Sequence, residues 1–141
     1  MKVLLAGGGT AGHINPALAI ASCVKRHEPS AEILFAGTPD GMEARLVKNA
    51  GFEFTPIQVK GFWRGFALED IKHNIKTVQY MLTSPKTAKK ILSDFRPDVV
   101  IGTGGYVSGP FLFMAQKMGF KTLIHEQNAF PGITTKTLAK K

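Results

Sequence analysis

Cysteine is nearly absent from this chain. The single thiol, Cys23, excludes an internal disulfide and points to a reducing compartment. No apolar run approaches the roughly 20 residues needed to cross a bilayer. No charged and apolar leader precedes the first strand pattern at Lys2, so a signal peptide is not expected. Acidic residues are scarce as well: 10 Asp and Glu against 18 Lys and Arg leave a net charge of +8. That excess suits nucleic acid, anionic lipid or phosphorylated small molecules. Of these, nucleic acid finds no helix-turn-helix, RNA-recognition or zinc-finger pattern to support it. Repeats and low-complexity segments are missing too. A chain of 141 residues with 44% hydrophobic and 20% charged content is expected to fold as one domain over residues 1–141.

What is present is glycine, in two concentrated turns. Gly7-Gly8-Gly9-Thr10-Ala11-Gly12-His13 follows the apolar segment Val3-Leu4-Leu5-Ala6, and Gly102-Thr103-Gly104-Gly105-Tyr106-Val107-Ser108-Gly109-Pro110 follows Val99-Val100-Ile101. Each turn joins a strand to a helical pattern. A helix start leaves backbone N–H groups without partners, and the helix dipole there favours negative charge. Two such turns in one small domain suggest a diphosphate, or two phosphorylated ligands that must meet.

The remaining pattern alternates strand and helix. Strands are expected at Lys2–Ala6, Glu32–Phe35, Phe52–Val59, Asp98–Ile101 and Thr122–His125, the third weakened by Pro56 and so near an edge. A helix is expected from Asn15 as N-cap, with Pro16 at its first position, to about His27. Others are expected at Met42–Asn49, stopped by Gly51, and at Ser108–Met118. A further helix begins before Lys141, and an insertion at about residues 60–96 reads as two helices split at Ser84-Pro85. The fold class is therefore α/β: a Rossmann-like, doubly wound parallel sheet with strands one and four adjacent at the point where connection direction reverses. That order sets the two glycine turns side by side, with His125-Glu126-Gln127-Asn128 bordering the same crevice.

Each motif has a plainer reading. Gly7-x-Gly9-x-x-Gly12 has dinucleotide spacing, but the second strand ends in Phe35-Ala36-Gly37-Thr38 without the acidic residue a ribose needs. A P-loop would want Lys-Ser or Lys-Thr after its last glycine, and none is there. His13 can accept a proton from a hydroxyl near neutral pH, or can merely hydrogen-bond a phosphate or a neighbouring turn. The four polar residues His125–Asn128 are costly to bury unused, or form a solvated loop. Metal binding by His125 and Glu126 is poorly supported, because adjacent strand residues face opposite ways. In the insertion, Lys60, Arg64, Lys72, Lys76, Lys86, Lys89, Lys90 and Arg96 face only Glu69, Asp70 and Asp94. Phe62, Trp63, Phe66, Lys72, Ile75 and Lys76 there form a candidate membrane patch, although amphipathic helices also pack inward.

With these residues in view, the chain resembles the MurG family of bacterial lipid-linked N-acetylglucosaminyltransferases. The resemblance rests on Gly8-Gly9-Thr10-Ala11-Gly12-His13, Gly104-Gly105-Tyr106-Val107-Ser108-Gly109-Pro110 and His125-Glu126-Gln127-Asn128. Lesser matches are Gly37-Thr38-Pro39-Asp40-Gly41-Met42-Glu43 and Arg96-Pro97-Asp98-Val99-Val100. It implies the N-terminal, acceptor-binding half of a two-domain GT-B glycosyltransferase that moves GlcNAc from UDP-GlcNAc to the undecaprenyl-diphosphate-linked acceptor lipid I, with inversion, giving lipid II for peptidoglycan. It implies no cofactor and no metal for the transfer. Carried onto this sequence, His13 is the general base. Thr10, Ala11, Gly12 and Asn128 reach the donor, while Gly9, Gly12, Gly104, Gly105, Tyr106, Ser108 and Glu126 hold the acceptor and its diphosphate. The location implied is peripheral, on the cytoplasmic face of the cell membrane. A C-terminal donor domain is implied but lies outside these 141 residues, so the isolated chain is expected to be inactive. The alternatives are a non-catalytic membrane-docking subunit of a split transferase and, less favoured, a nucleotide-cofactor-binding domain.

Overall fold

The computed structural model describes residues 1–61 and 68–139. Five parallel strands, β1 (Lys2–Gly7), β2 (Glu32–Gly37), β3 (Glu53–Pro56), β4 (Val99–Gly104) and β5 (Lys121–Ile124), lie in the order β3-β2-β1-β4-β5. The chain first winds outward from β1 through β2 to β3, then returns to β4 on the other side of β1. The reversal falls between β1 and β4, as the sequence pattern requires. Pro56 ends the edge strand β3, where a missing N–H costs the sheet nothing.

Alternation along the strands feeds two cores. Val3, Leu5, Ile33, Phe35 and Ile101 point to one face, where they meet Ala17 and Ala21 of α1 (Ala11–His27) and Val47 of α2 (Met42–Asn49). Leu4, Ala6, Ala36 and Val100 point to the other. There they meet Ala88 and Leu92 of α3 (Leu68–Phe95), Phe111, Leu112 and Ala115 of α4 (Gly105–Lys117), and Leu138 of α5 (Ile133–Leu138). Full burial of each Leu or Phe contributes about 1.5–3 kcal/mol.

Several expectations need correction. β3 ends at Pro56 rather than Val59, and α4 begins at Gly105, directly after β4, rather than at Ser108. Helix α1 begins at Ala11, not after Asn15, because Thr10 is extended (φ −144°, ψ 155°) and its carbonyl already accepts from the amides of His13 (3.1 Å) and Ile14 (3.2 Å). Pro16 therefore sits one turn inside the helix, where it removes only the bond to the Gly12 carbonyl. From Leu68 to Phe95 the insertion is one helix, α3, continuing through Ser84-Pro85 rather than two helices split there. Ser84, Ala88 and Leu92, spaced by four, are all buried, so packing holds both sides of Pro85 on a single axis.

Candidate active site

The two glycine turns meet at the carboxyl edge of the sheet. Ala6 pairs with Gly102, the register shifts, and Gly7 pairs with Gly104. Gly104 (φ +109°) and Gly105 (φ +78°) occupy left-handed conformations that favour glycine. They are also pinned sterically: a Cβ on Gly105 would overlap the Gly8 carbonyl oxygen, and one on Gly104 would overlap the His13 ring. Ala11 and Gly12 open α1, and Gly105, Tyr106 and Val107 open α4, positions whose amides have no preceding helical turn to bond to. The helix starts that follow β1 and β4 thus sit in contact.

Beside them opens a cavity of about 270 Å³ lined by His13, Gly104, Gly105, Tyr106, Glu126 and Asn128, among others. It gathers most of the residues proposed from sequence for the site. His13, placed on the first turn of α1, is clamped at two points by buried Thr103. The Thr103 hydroxyl donates to the His13 carbonyl oxygen (2.8 Å), and the Thr103 carbonyl lies 3.0 Å from His13 Nδ1. A carbonyl only accepts, so Nδ1 carries the proton and Nε2 bears the lone pair. Nε2 has no hydrogen-bond partner among the described residues, which leaves it available as a base.

Several expected contacts are engaged elsewhere. The Gly9 amide donates to Glu43 Oε2 (3.2 Å), and neither Gly9, Thr10, Ala11 nor Gly12 lines the cavity. Glu43 is 1% exposed and also accepts from the Thr38 amide (2.9 Å) and hydroxyl (2.6 Å). Burial pushes its carboxyl up, but the Thr38 hydroxyl and the amides of Glu43, Thr38 and Gly9 outweigh this, so it stays ionised below the usual range. The first glycine turn therefore already holds one carboxylate, supplied by α2. Ser108 is buried; its Oγ accepts from the Gly104 amide (2.9 Å) and lies 2.7 Å from the Ala6 carbonyl oxygen, joining the two turns from beneath.

Glu126 forms a second clasp. It accepts from the Thr135 hydroxyl (2.8 Å), the Asn128 amide (3.1 Å), the Gly132 amide (3.2 Å) and Asn128 Nδ2 (2.9 Å). Those bonds, the Thr135 hydroxyl first, lower its carboxyl to about 2 and tie the loop after β5 to the start of α5. Among the described residues no group of three His, Cys, Asp or Glu comes together as a metal site. Phe62, Trp63 and Phe66 lie outside the described residues, as do the side chains of Lys72 and Lys76, while Ile75 is 64% exposed. Sequence reasoning missed Thr103, Gln127 and the role of Glu43. Each stood inside a motif already noted, but only the register and the helix placement reveal what it touches.

Parallel strands in this order, with a ligand-sized cleft between two glycine-initiated helices at the switch point, define a class: the doubly wound half from which GT-B glycosyltransferases are built. The model of the glycosyltransferase family 28 N-terminal domain matches residues 3–141, and the chain belongs to that family. It is 52% identical over 140 residues to the UDP-N-acetylglucosamine–N-acetylmuramyl-(pentapeptide) pyrophosphoryl-undecaprenol N-acetylglucosamine transferase of Leuconostoc citreum, covering 99% of this chain and 37% of that protein. The like-named transferase of Acetivibrio thermocellus is 53% identical with the same coverage. The crystal structure of Acinetobacter baumannii MurG superposes with a TM-score of 0.81 at 32% identity, covering 99% of this chain and 38% of that one. The chain thus spans little more than a third of the length of the relatives it matches.

Proposed function

We propose that this chain is the acceptor-binding half of an inverting glycosyltransferase that moves GlcNAc from UDP-GlcNAc to the 4-hydroxyl of lipid I, giving lipid II. The observation that carries the reading is His13: its Nδ1 is committed to the Thr103 carbonyl, and the ring borders the cavity with Nε2 unengaged. In the transfer, Nε2 takes the proton of the acceptor hydroxyl as its oxygen attacks the anomeric carbon and UDP leaves. The N-terminal turn of α4 at Gly105, Tyr106 and Val107 suits the acceptor diphosphate through its helix dipole and amides, with Gly104 letting that charge approach the backbone. Tyr106, 64% exposed, and Asn128 stand at the cavity where sugar would lie. Thr10, Ala11 and Gly12 sit outside it on the exposed rim, facing where a donor-holding domain would close.

A dinucleotide cofactor is disfavoured, because Glu43 takes the Gly9 amide that a pyrophosphate would need and sets a negative charge beside it. Docking on the cytoplasmic face of the membrane draws support from α3. Ile75, Val78 and Leu82 are 64%, 47% and 71% exposed and form one stripe at helical spacing within the Lys-rich insertion. No helix among the described residues is long and apolar enough to cross a bilayer, in keeping with peripheral attachment.

The test is titration of the purified chain with a soluble lipid I analogue and, separately, with UDP-GlcNAc, followed by assay with a matching C-terminal half. The acceptor should bind the chain alone, with lipid II forming only in the mixture. Tight UDP-GlcNAc binding without acceptor binding would reverse the assignment of this half.

A further inference from the structure

Gln127 does not line the cavity, yet its side chain reaches His13 and the carbonyl that His13 also bonds. Its Nε2 donates to the Thr103 carbonyl (2.5 Å) and lies 3.1 Å from His125 Nδ1, while its Oε1 stands 3.3 Å from His13 Nδ1. The orientation of the amide follows from these partners. The Thr103 carbonyl can only accept, so the amide nitrogen must face it. That leaves Oε1 for His13, where it adds a second acceptor for the Nδ1 proton. His125 in turn offers Nδ1 as an acceptor to the amide and so opposes its flipping.

We infer that Gln127 is a positioning residue that, braced by His125, holds the His13 ring with its proton on Nδ1 and Nε2 toward the acceptor hydroxyl; the inference rests on the transferase reading above for its catalytic consequence. The Thr103 carbonyl alone would leave the ring free to pivot about one bond. A second acceptor for the same Nδ1 proton restrains that pivot and so the direction of the Nε2 lone pair. General-base efficiency depends on that direction as much as on basicity. Thr103 thus serves both partners: its carbonyl receives the histidine and the amide together, and its hydroxyl fixes the backbone of His13.

The experiment compares Gln127→Leu, which removes all three contacts, with Gln127→Glu, which keeps an acceptor toward His13 but sets a carboxylate against the Thr103 carbonyl. Nitrogen-15 imidazole spectra of the 141-residue chain report the His13 tautomer, and melting curves confirm that each variant folds. The chain paired with a C-terminal half then gives kcat and KM. Expected are one Nδ1–H tautomer in the parent, a detectable Nε2–H form in Gln127→Leu, and a kcat reduced about 10-fold with KM within about two-fold. Gln127→Glu should lose at least as much. A folded Gln127→Leu with an unchanged His13 spectrum would overturn the inference, as would a raised KM at constant kcat, which would make Gln127 a substrate contact. A changed tautomer in a chain whose parent pairing transfers no GlcNAc would uphold the positioning role and refute the transferase reading instead.

Discussion

Replacing Glu43 tests how far the first glycine turn depends on a carboxylate supplied from another helix. Three donors from outside its own helix, the Gly9 amide, the Thr38 amide and the Thr38 hydroxyl, converge on a side chain 1% exposed. Hydrogen bonds to a charged group are worth about 1.5–3 kcal/mol each, but Gly9 is exposed and its amide can rehydrate. Glu43→Ala is therefore expected to cost about 3 kcal/mol, less than the sum of the three bonds. Glu43→Gln keeps an acceptor for Thr38 but turns an amide donor on the Gly9 N–H, and should cost about 1–2 kcal/mol. For a domain of this size, about 4 °C of melting temperature accompanies each kcal/mol, so falls of about 12 °C and 4–8 °C are expected by calorimetry. The space around the Glu43 side chain allows no escape, since a Cβ on Gly8 or Gly41 would collide with its carboxyl and one on Gly37 with its Cγ.

The pH dependence has a definite sign. The folded carboxyl titrates below its ordinary value of 4.5. Its contribution is therefore present above 4.5 and is lost as pH falls through the lower folded value. Melting of Glu43→Gln should accordingly vary less with acid than that of the parent below this point. A Glu43→Ala chain melting within about 1 °C of the parent at neutral pH would refute the reasoning.

Gly105→Ala, forced into φ +78° and against the Gly8 carbonyl, should destabilise the chain by at least about 2 kcal/mol, read from urea unfolding. Thr103→Val, which deletes the hydroxyl bond to His13 but keeps the shape, should cost about 1 kcal/mol and leave the two glycine turns paired, seen as retained amide protection in β4. The Glu126 clasp, titrating at about 2, should persist at pH 4 and be broken by Glu126→Gln, with faster amide exchange at Gly132 as the readout. Binding to anionic vesicles should weaken with salt and with Leu82→Glu, whereas binding indifferent to both would remove the docking surface.

Much of the fold was legible in the sequence because strand and helix periods alternate cleanly. Apolar strands such as Val3-Leu4-Leu5-Ala6 mark a sheet covered on both faces, and glycine turns mark the helix starts that follow. The strand order followed from those elements and the usual handedness of crossovers. Helix boundaries were less legible where proline misled. Pro16 and Pro85 both read as helix limits, yet each sits inside a helix whose packing outweighs one missing hydrogen bond. Within the site, His13 and the second glycine turn were visible as residues at a predicted crevice. The sequence could not reveal that Glu43, 34 positions beyond Gly9, reaches back to its amide, or that Gln127 crosses to His13 from 114 positions away. Such contacts depend on register between β1 and β4 and on the seat of α2, which local pattern does not encode.

The central claim is that His13 Nε2 receives the acceptor proton at the junction of the two glycine turns. Its most direct measurement is the single-turnover rate of lipid II formation by the chain paired with a C-terminal half, comparing the parent with His13→Ala at saturating acceptor. A loss of about 100-fold or more with acceptor binding retained is predicted; a rate within a few-fold of the parent would contradict the account.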